Sequence, residues 1–136
     1  MNKDRNYYKD TYHHLHNRGA NKALIFYERE NYLYFLRRMK FYSYKYKIKL
    51  LSYCLMPNHF HIFLKQTTDE FSTSMFISSL LNSYVKSINK KYEHSGTLFE
   101  SKTKNKKIDD ETYFVWIIKY ILENPVKAHL VENIYD

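Results

Sequence analysis

Between residues 59 and 64, polar and apolar positions alternate: His59, His61 and Phe63 fall on one side of the chain, Phe60, Ile62 and Leu64 on the other. A period of two is that of a β-strand, in which residues i and i+2 project together. The second set is wholly apolar and is expected to face the core. Residues 59–66 are therefore expected to form a strand. It would pair back, through the tight turn Met56-Pro57-Asn58, on a strand at residues 49–55. A helical period takes over on either side. Tyr32, Phe35, Leu36 and Met39 recur at offsets 0, 3, 4 and 7 and predict a helix over residues 28–42. Ile77, Leu80, Leu81, Tyr84, Val85 and Ile88 make the apolar stripe of a second helix over residues 72–92, with Ser72 or Thr73 as its cap.

Residues 12–16 read as a short first strand closed by the turn signal Asn17-Arg18-Gly19. Residues 97–99 are expected to form the fourth strand, followed by a lysine-rich segment at 102–107 that reads as a solvated loop. A third helix opens at Asp109-Asp110-Glu111, where carboxylates suit the positive end of the helix dipole, and runs to about residue 123. The order β-α-β-β-α-β with one added helix predicts an α+β fold of the ferredoxin-like (RRM-like) split βαβ kind. Its antiparallel four-stranded sheet would carry two helices on one face. The histidine face would look away from them, toward the added helix. With no internal repeat and no linker, residues 1–136 are expected to form a single domain.

Composition narrows the function. Lys and Arg exceed Asp and Glu by 8 charges, a surplus that attracts polyanions such as nucleic acid. Fifteen Tyr and nine Phe add planar surfaces on which unpaired bases could stack, although many must serve the core. The single cysteine, Cys54, excludes an internal disulfide framework and reads as a buried, inert thiol. The polar opening Met1-Asn2-Lys3-Asp4-Arg5 lacks the apolar segment of a signal peptide, and no apolar run approaches a membrane span. A cytoplasmic protein is expected.

Chemistry concentrates on two elements. His59 and His61 would stand side by side on a strand, close enough to share one divalent cation, but the same spacing also fits a merely half-polar strand face. Two histidines do not complete a metal site. On the third helix Tyr120 and Asn124 are four residues apart and share a face. Phe114, Ile117, Ile118 and Ile121 form an adjoining apolar face whose docking on the sheet would hold Tyr120 over the histidines. A tyrosine oxygen there could attack phosphorus, provided that its pKa of about 10 is overcome by a metal, water or base. No base is identified. More ordinary roles are a packed aromatic for Tyr120 and, before Pro125, a helix N-cap for Asn124.

Four segments carry a family resemblance. Tyr12-His13-His14-Leu15-His16-Asn17-Arg18-Gly19 resembles the opening strand of the small single-tyrosine transposases of bacterial insertion sequences. Tyr53-Cys54-Leu55-Met56-Pro57-Asn58-His59-Phe60-His61-Ile62-Phe63 is similar to their His-hydrophobic-His (HUH) signature. Gly96-Thr97-Leu98-Phe99-Glu100 resembles the segment after their second helix. Tyr120-Ile121-Leu122-Glu123-Asn124-Pro125-Val126-Lys127-Ala128 is similar to the closing motif of the REP-associated tyrosine transposases. The matches fall in family order across nearly the whole chain.

The resemblance implies a metal-dependent endonuclease and strand transferase acting on single-stranded DNA beside a hairpin, in the cytoplasm of a bacterium and associated with its nucleoid. His59 and His61 map onto the metal-binding pair, Tyr120 onto the nucleophile, and Asn124 onto the third metal ligand. The cation would be Mg²⁺ or Mn²⁺. Cleavage would leave a 5′ end on Tyr120 and a free 3′ hydroxyl. Family members act as monomers or as homodimers that exchange tyrosine helices, and both states stay open. The extra histidines His13, His14 and His16 are expected to take surface or sheet roles. Glu100-Ser101-Lys102 replaces a position where relatives often carry a basic residue, and no additional C-terminal DNA-reading domain is expected. The competing readings are a non-catalytic binder of hairpin DNA or RNA and a metal hydrolase of small phosphate esters.

Overall fold

The structure, a computed structural model, describes residues 8–108 together with Val115 and Lys119. The elements run β1 (Thr11–Arg18), a short 3-10 turn (Ala20–Lys22), α1 (Arg29–Lys45), β2 (Ile48–Met56), β3 (His59–Gln66), α2 (Thr73–Lys91) and β4 (Lys104–Ile108). The four strands form one antiparallel sheet in the order β2-β3-β1-β4. This is the split βαβ arrangement expected from the element order.

The two faces of β3 follow the predicted alternation, but both are buried from Phe60 to Leu64. Leu15 of β1 and Phe60, Ile62 and Leu64 of β3 are fully buried against the helices. α1 contributes Phe35 and Met39, and α2 contributes Phe76, Leu80, Tyr84 and Ile88. The rings of Phe35 and Phe60 lie 5.6 Å apart, and the Tyr84 hydroxyl donates to the carbonyl of Ile25. A tyrosine can be fully buried there because its one polar group finds a partner. The opposite face of the sheet carries a smaller cluster, Cys54, Phe63 and Ile108, with Tyr12, Leu51 and Met56 packed beside it.

The helix ends obey local chemistry. Glu28 and Asn31 form a capping box at the start of α1. α1 continues a turn beyond the expected Tyr42 and stops where Lys47 takes a left-handed backbone, φ 55°. Ser72, not Thr73, caps α2 by accepting from the Met75 N–H at 3.3 Å; Thr73 instead donates its N–H and hydroxyl to Gln66 Oε1.

One strand lies elsewhere than expected. Residues 97–99 form no ladder: Phe99 makes an isolated bridge with Gly19, while Leu98 and Phe99 plug the core. The fourth strand is the lysine-rich segment, paired with β1 from Tyr12↔Ile108 to His16↔Lys104. The backbone ladder holds it, Ile108 anchors its end, and lysines on an outer strand discourage further pairing. Tyr120 and Asn124 of the expected third helix lie outside the described residues. Val115 and Lys119, four residues apart, are both helical and exposed. Among the described residues no helix is long and apolar enough to cross a membrane.

Candidate active site

β3 sets His59 and His61 on the sheet face away from α1 and α2, with ring centroids 5.3 Å apart and planes at 87°. β1 adds two more imidazoles to that face, because its register places His16 opposite His61 and Arg18 opposite His59. His14, His16 and His61 form a triangle of near-parallel rings, with centroids 5.1 to 5.6 Å apart. Of the three extra histidines, His13 and His14 are buried and so are not surface residues. His13 lies on the helix-facing side and ties β1 to β4 through Asn105 Oδ1 at 3.0 Å. The alternation in His13-His14-Leu15-His16 would have revealed this split, had the pairing of β1 with β3 been known.

Backbone hydrogen bonds fasten the turn before His59. The carbonyl of Pro57 accepts from the N–H groups of Ile25 (2.8 Å) and Phe26 (3.1 Å), and that of Asn58 accepts from Gly19 (2.9 Å). Gly19 is required there for space: a Cβ would sit 2.1 Å from the Ala23 oxygen. Its backbone, φ −66° and ψ 148°, is ordinary. His59 is further held through Nδ1 by Asn58 Oδ1 at 2.9 Å, which puts the ring proton on Nδ1 and the lone pair on Nε2.

These imidazoles are neutral at physiological pH. Burial, with smaller contributions from His14, His59 and His16, pushes His61 down to about 3; burial and then His16 push His14 down to about 4. His59 is lowered by burial and then by His16, and His16 by burial and then by Lys104. Neutral imidazole is the metal-binding form. His59 and His61 therefore suit a divalent cation in chemistry and in separation. Among the described residues no group of three or more His, Cys, Asp or Glu is arranged to hold a metal ion. Asn124, the expected third ligand, is outside the described residues.

A cavity of about 470 Å³ opens beside the pair, lined by His16, His59 and His61 and rimmed by Arg18, Lys22 and Lys104. Glu100 is the single acidic lining residue among the described residues and accepts from Arg18 Nε at 3.0 Å through both carboxylate oxygens. A basic cavity with neutral nitrogen ligands at its floor is suited to a phosphodiester.

A split βαβ sheet with paired histidines over a basic cavity defines the class. The sequence profile of the IS200-like transposases matches residues 7–124, and the chain belongs to that family. The fold is similar to that of a REP-associated tyrosine transposase bound to a REP hairpin, with a TM-score of 0.74 and 14% identity over 98% of this chain and 78% of that one. It is also similar to a candidate transposase from Deinococcus radiodurans R1, with a TM-score of 0.60 and 17% identity over 89% of this chain and 95% of that one. A comparison with curated protein sequences gives no match.

Proposed function

We propose that residues 1–136 form one catalytic domain that cuts and rejoins single-stranded DNA beside a hairpin, in the bacterial cytoplasm. The observation that carries this reading is the His59–His61 pair on the floor of a basic cavity in a chain of transposase family. The hairpin bound by the structurally similar REP-associated transposase supports the choice of substrate.

In this reading His59, His61 and Asn124 hold Mg²⁺ or Mn²⁺. The cation, when bound, supplies Lewis-acid stabilisation of the charge that develops on the phosphate. Arg18, Lys22 and Lys104 draw the strand into the cavity and orient its backbone. The Tyr120 oxygen loses its proton and bonds to phosphorus as the P–O3′ bond breaks, and the departing 3′ oxygen takes up a proton. The product is a 5′-phosphotyrosine and a 3′ hydroxyl, which can later attack a phosphotyrosine and rejoin strands without ATP.

The test is incubation of a labelled hairpin-bearing single strand with protein and Mn²⁺. A covalent adduct that is lost in Tyr120→Phe, and in His59→Ala with hairpin binding kept, is the expected result. Tight binding with no adduct would make the protein a non-catalytic binder. Turnover of small phosphate esters without adduct would make it a simple hydrolase.

A further inference from the structure

His59 and His61 are each engaged through the same ring nitrogen. Nδ1 of His59 meets Asn58 Oδ1, and Nδ1 of His61 meets Nε2 of His14, both at 2.9 Å. The His14 and His61 rings are inclined by 19° with centroids 5.1 Å apart. With two nitrogens only 2.9 Å apart, that centroid separation means the rings meet edge to edge, the geometry of an N–H···N hydrogen bond and not of a face-to-face stack.

Such a bond holds one proton and has two forms. If His14 donates, Nδ1 of His61 is the acceptor, so the proton of neutral His61 sits on Nε2 and that nitrogen cannot bind a cation. If His61 donates, its Nε2 carries the lone pair and is a ligand. Asn58 forces the ligand form on His59, because an amide oxygen can only accept. We infer that His14 does the same for His61: it is a positioning residue that accepts the Nδ1 proton and presents Nε2 of His61 to a divalent cation.

The inference rests on the proposed metal site. It gives a histidine the part usually taken by a carboxylate or backbone carbonyl behind a ligating imidazole. A neutral partner has a consequence of its own: it fixes the tautomer without adding negative charge beside an incoming phosphate. His14 is 7% exposed and stands diagonal to His61 across the β1–β3 ladder, so both strands set its position.

Two measurements test this. Long-range ¹H–¹⁵N correlation on labelled, metal-free protein reports which nitrogen of each histidine carries the proton. The expected result is Nδ1–H on His61 in the wild type and a loss of that preference in His14→Phe. Mn²⁺ titration by calorimetry should show affinity falling about 10- to 100-fold in His14→Phe and recovering in His14→Gln, whose amide oxygen can accept the same proton. Nε2–H on His61 in the wild type, or unchanged Mn²⁺ affinity in His14→Phe, overturns the inference. If His14→Phe does not fold, the wild-type spectrum decides alone. Absence of Mn²⁺ binding in the wild type, with Nδ1–H still found on His61, would instead remove the metal reading of the site and leave the tautomer assignment standing.

Discussion

His16 stands directly opposite His61 in the β1–β3 ladder, with ring centroids 5.6 Å apart, and the two bracket a patch in which four imidazoles share one sheet face. Packing neutral histidines this closely has a cost that appears on acidification. His14 and His61 are held down to about 4 and about 3, chiefly by burial. Unfolding releases them to the ordinary value near 6.5. A depressed folded-state pKa contributes stability that is fully present above about 6.5 and is lost as pH falls toward 4 and then 3. Within that window each such imidazole adds a slope of up to about 1.4 kcal/mol per pH unit. Urea unfolding at a series of pH values should show stability falling steadily below about pH 6.5, and His14→Gln should lower the slope by about one proton. Glutamates titrate near about 4.3, so the fall between about pH 6.5 and 4.5 reports the imidazoles. A flat profile down to about pH 4.5 would contradict the buried, neutral cluster.

Gly19 and Gly96 invert the usual expectation for glycine. Gly96 has a left-handed backbone, φ 95°, in open space, whereas Gly19 has an ordinary backbone with no room for a methyl group. Gly96→Ala is expected to cost about 1 kcal/mol of backbone strain. Gly19→Ala should cost more, about 2 kcal/mol or above, because the clash is with the Ala23 backbone, and should loosen the turn that Gly19 holds at Asn58. Equilibrium unfolding of both variants checks the order; equal costs would refute it.

The Cys54 thiol is 1% exposed and is pushed up to about 12 by burial. Only thiolate reacts readily. The native protein at about pH 8 should therefore leave an aromatic disulfide reagent unconsumed, and one thiol per chain should appear in urea. Because the folded value is raised, the stability contributed by the neutral thiol is present below about 8.5 and declines as pH rises toward about 12. Rapid modification of the folded protein would show that the β2–β3 ladder opens at this point.

The elements that were legible in advance are those with strong amphipathic periodicity. Phe60, Ile62 and Leu64 alternate, and Phe35, Met39, Leu80 and Tyr84 follow the helical repeat, so strand β3 and both helices could be located, as could the face on which His59 and His61 stand. β4 was illegible for a physical reason. Its lysines are stabilised in a strand by backbone pairing with β1, which leaves no mark on hydrophobicity, while the apolar pair Leu98-Phe99 is apolar because it plugs the core. The histidine cluster was half legible. Spacing joins His59 to His61, but the approach of His14 and His16 depends on a register between strands some 45 residues apart, which no local pattern encodes.

Glu100 neutralises one of the cations at the cavity mouth. Its carboxylate is held below the usual range first by the hydrogen bond from Arg18, and its own N–H donates to the Arg18 carbonyl at 2.8 Å. The backbone bond survives substitution of the side chain, so Glu100→Gln should keep the fold while releasing the Arg18 guanidinium. If the cavity receives a DNA strand, the freed charge adds one phosphate contact. Affinity for single-stranded DNA should then rise at low salt, and the plot of log affinity against log salt should steepen by about 0.7. Fluorescence anisotropy with a labelled oligonucleotide between about 50 and 200 mM salt makes the measurement. An unchanged affinity and slope would place the strand away from Arg18, and with it away from His59, which lies directly across the ladder.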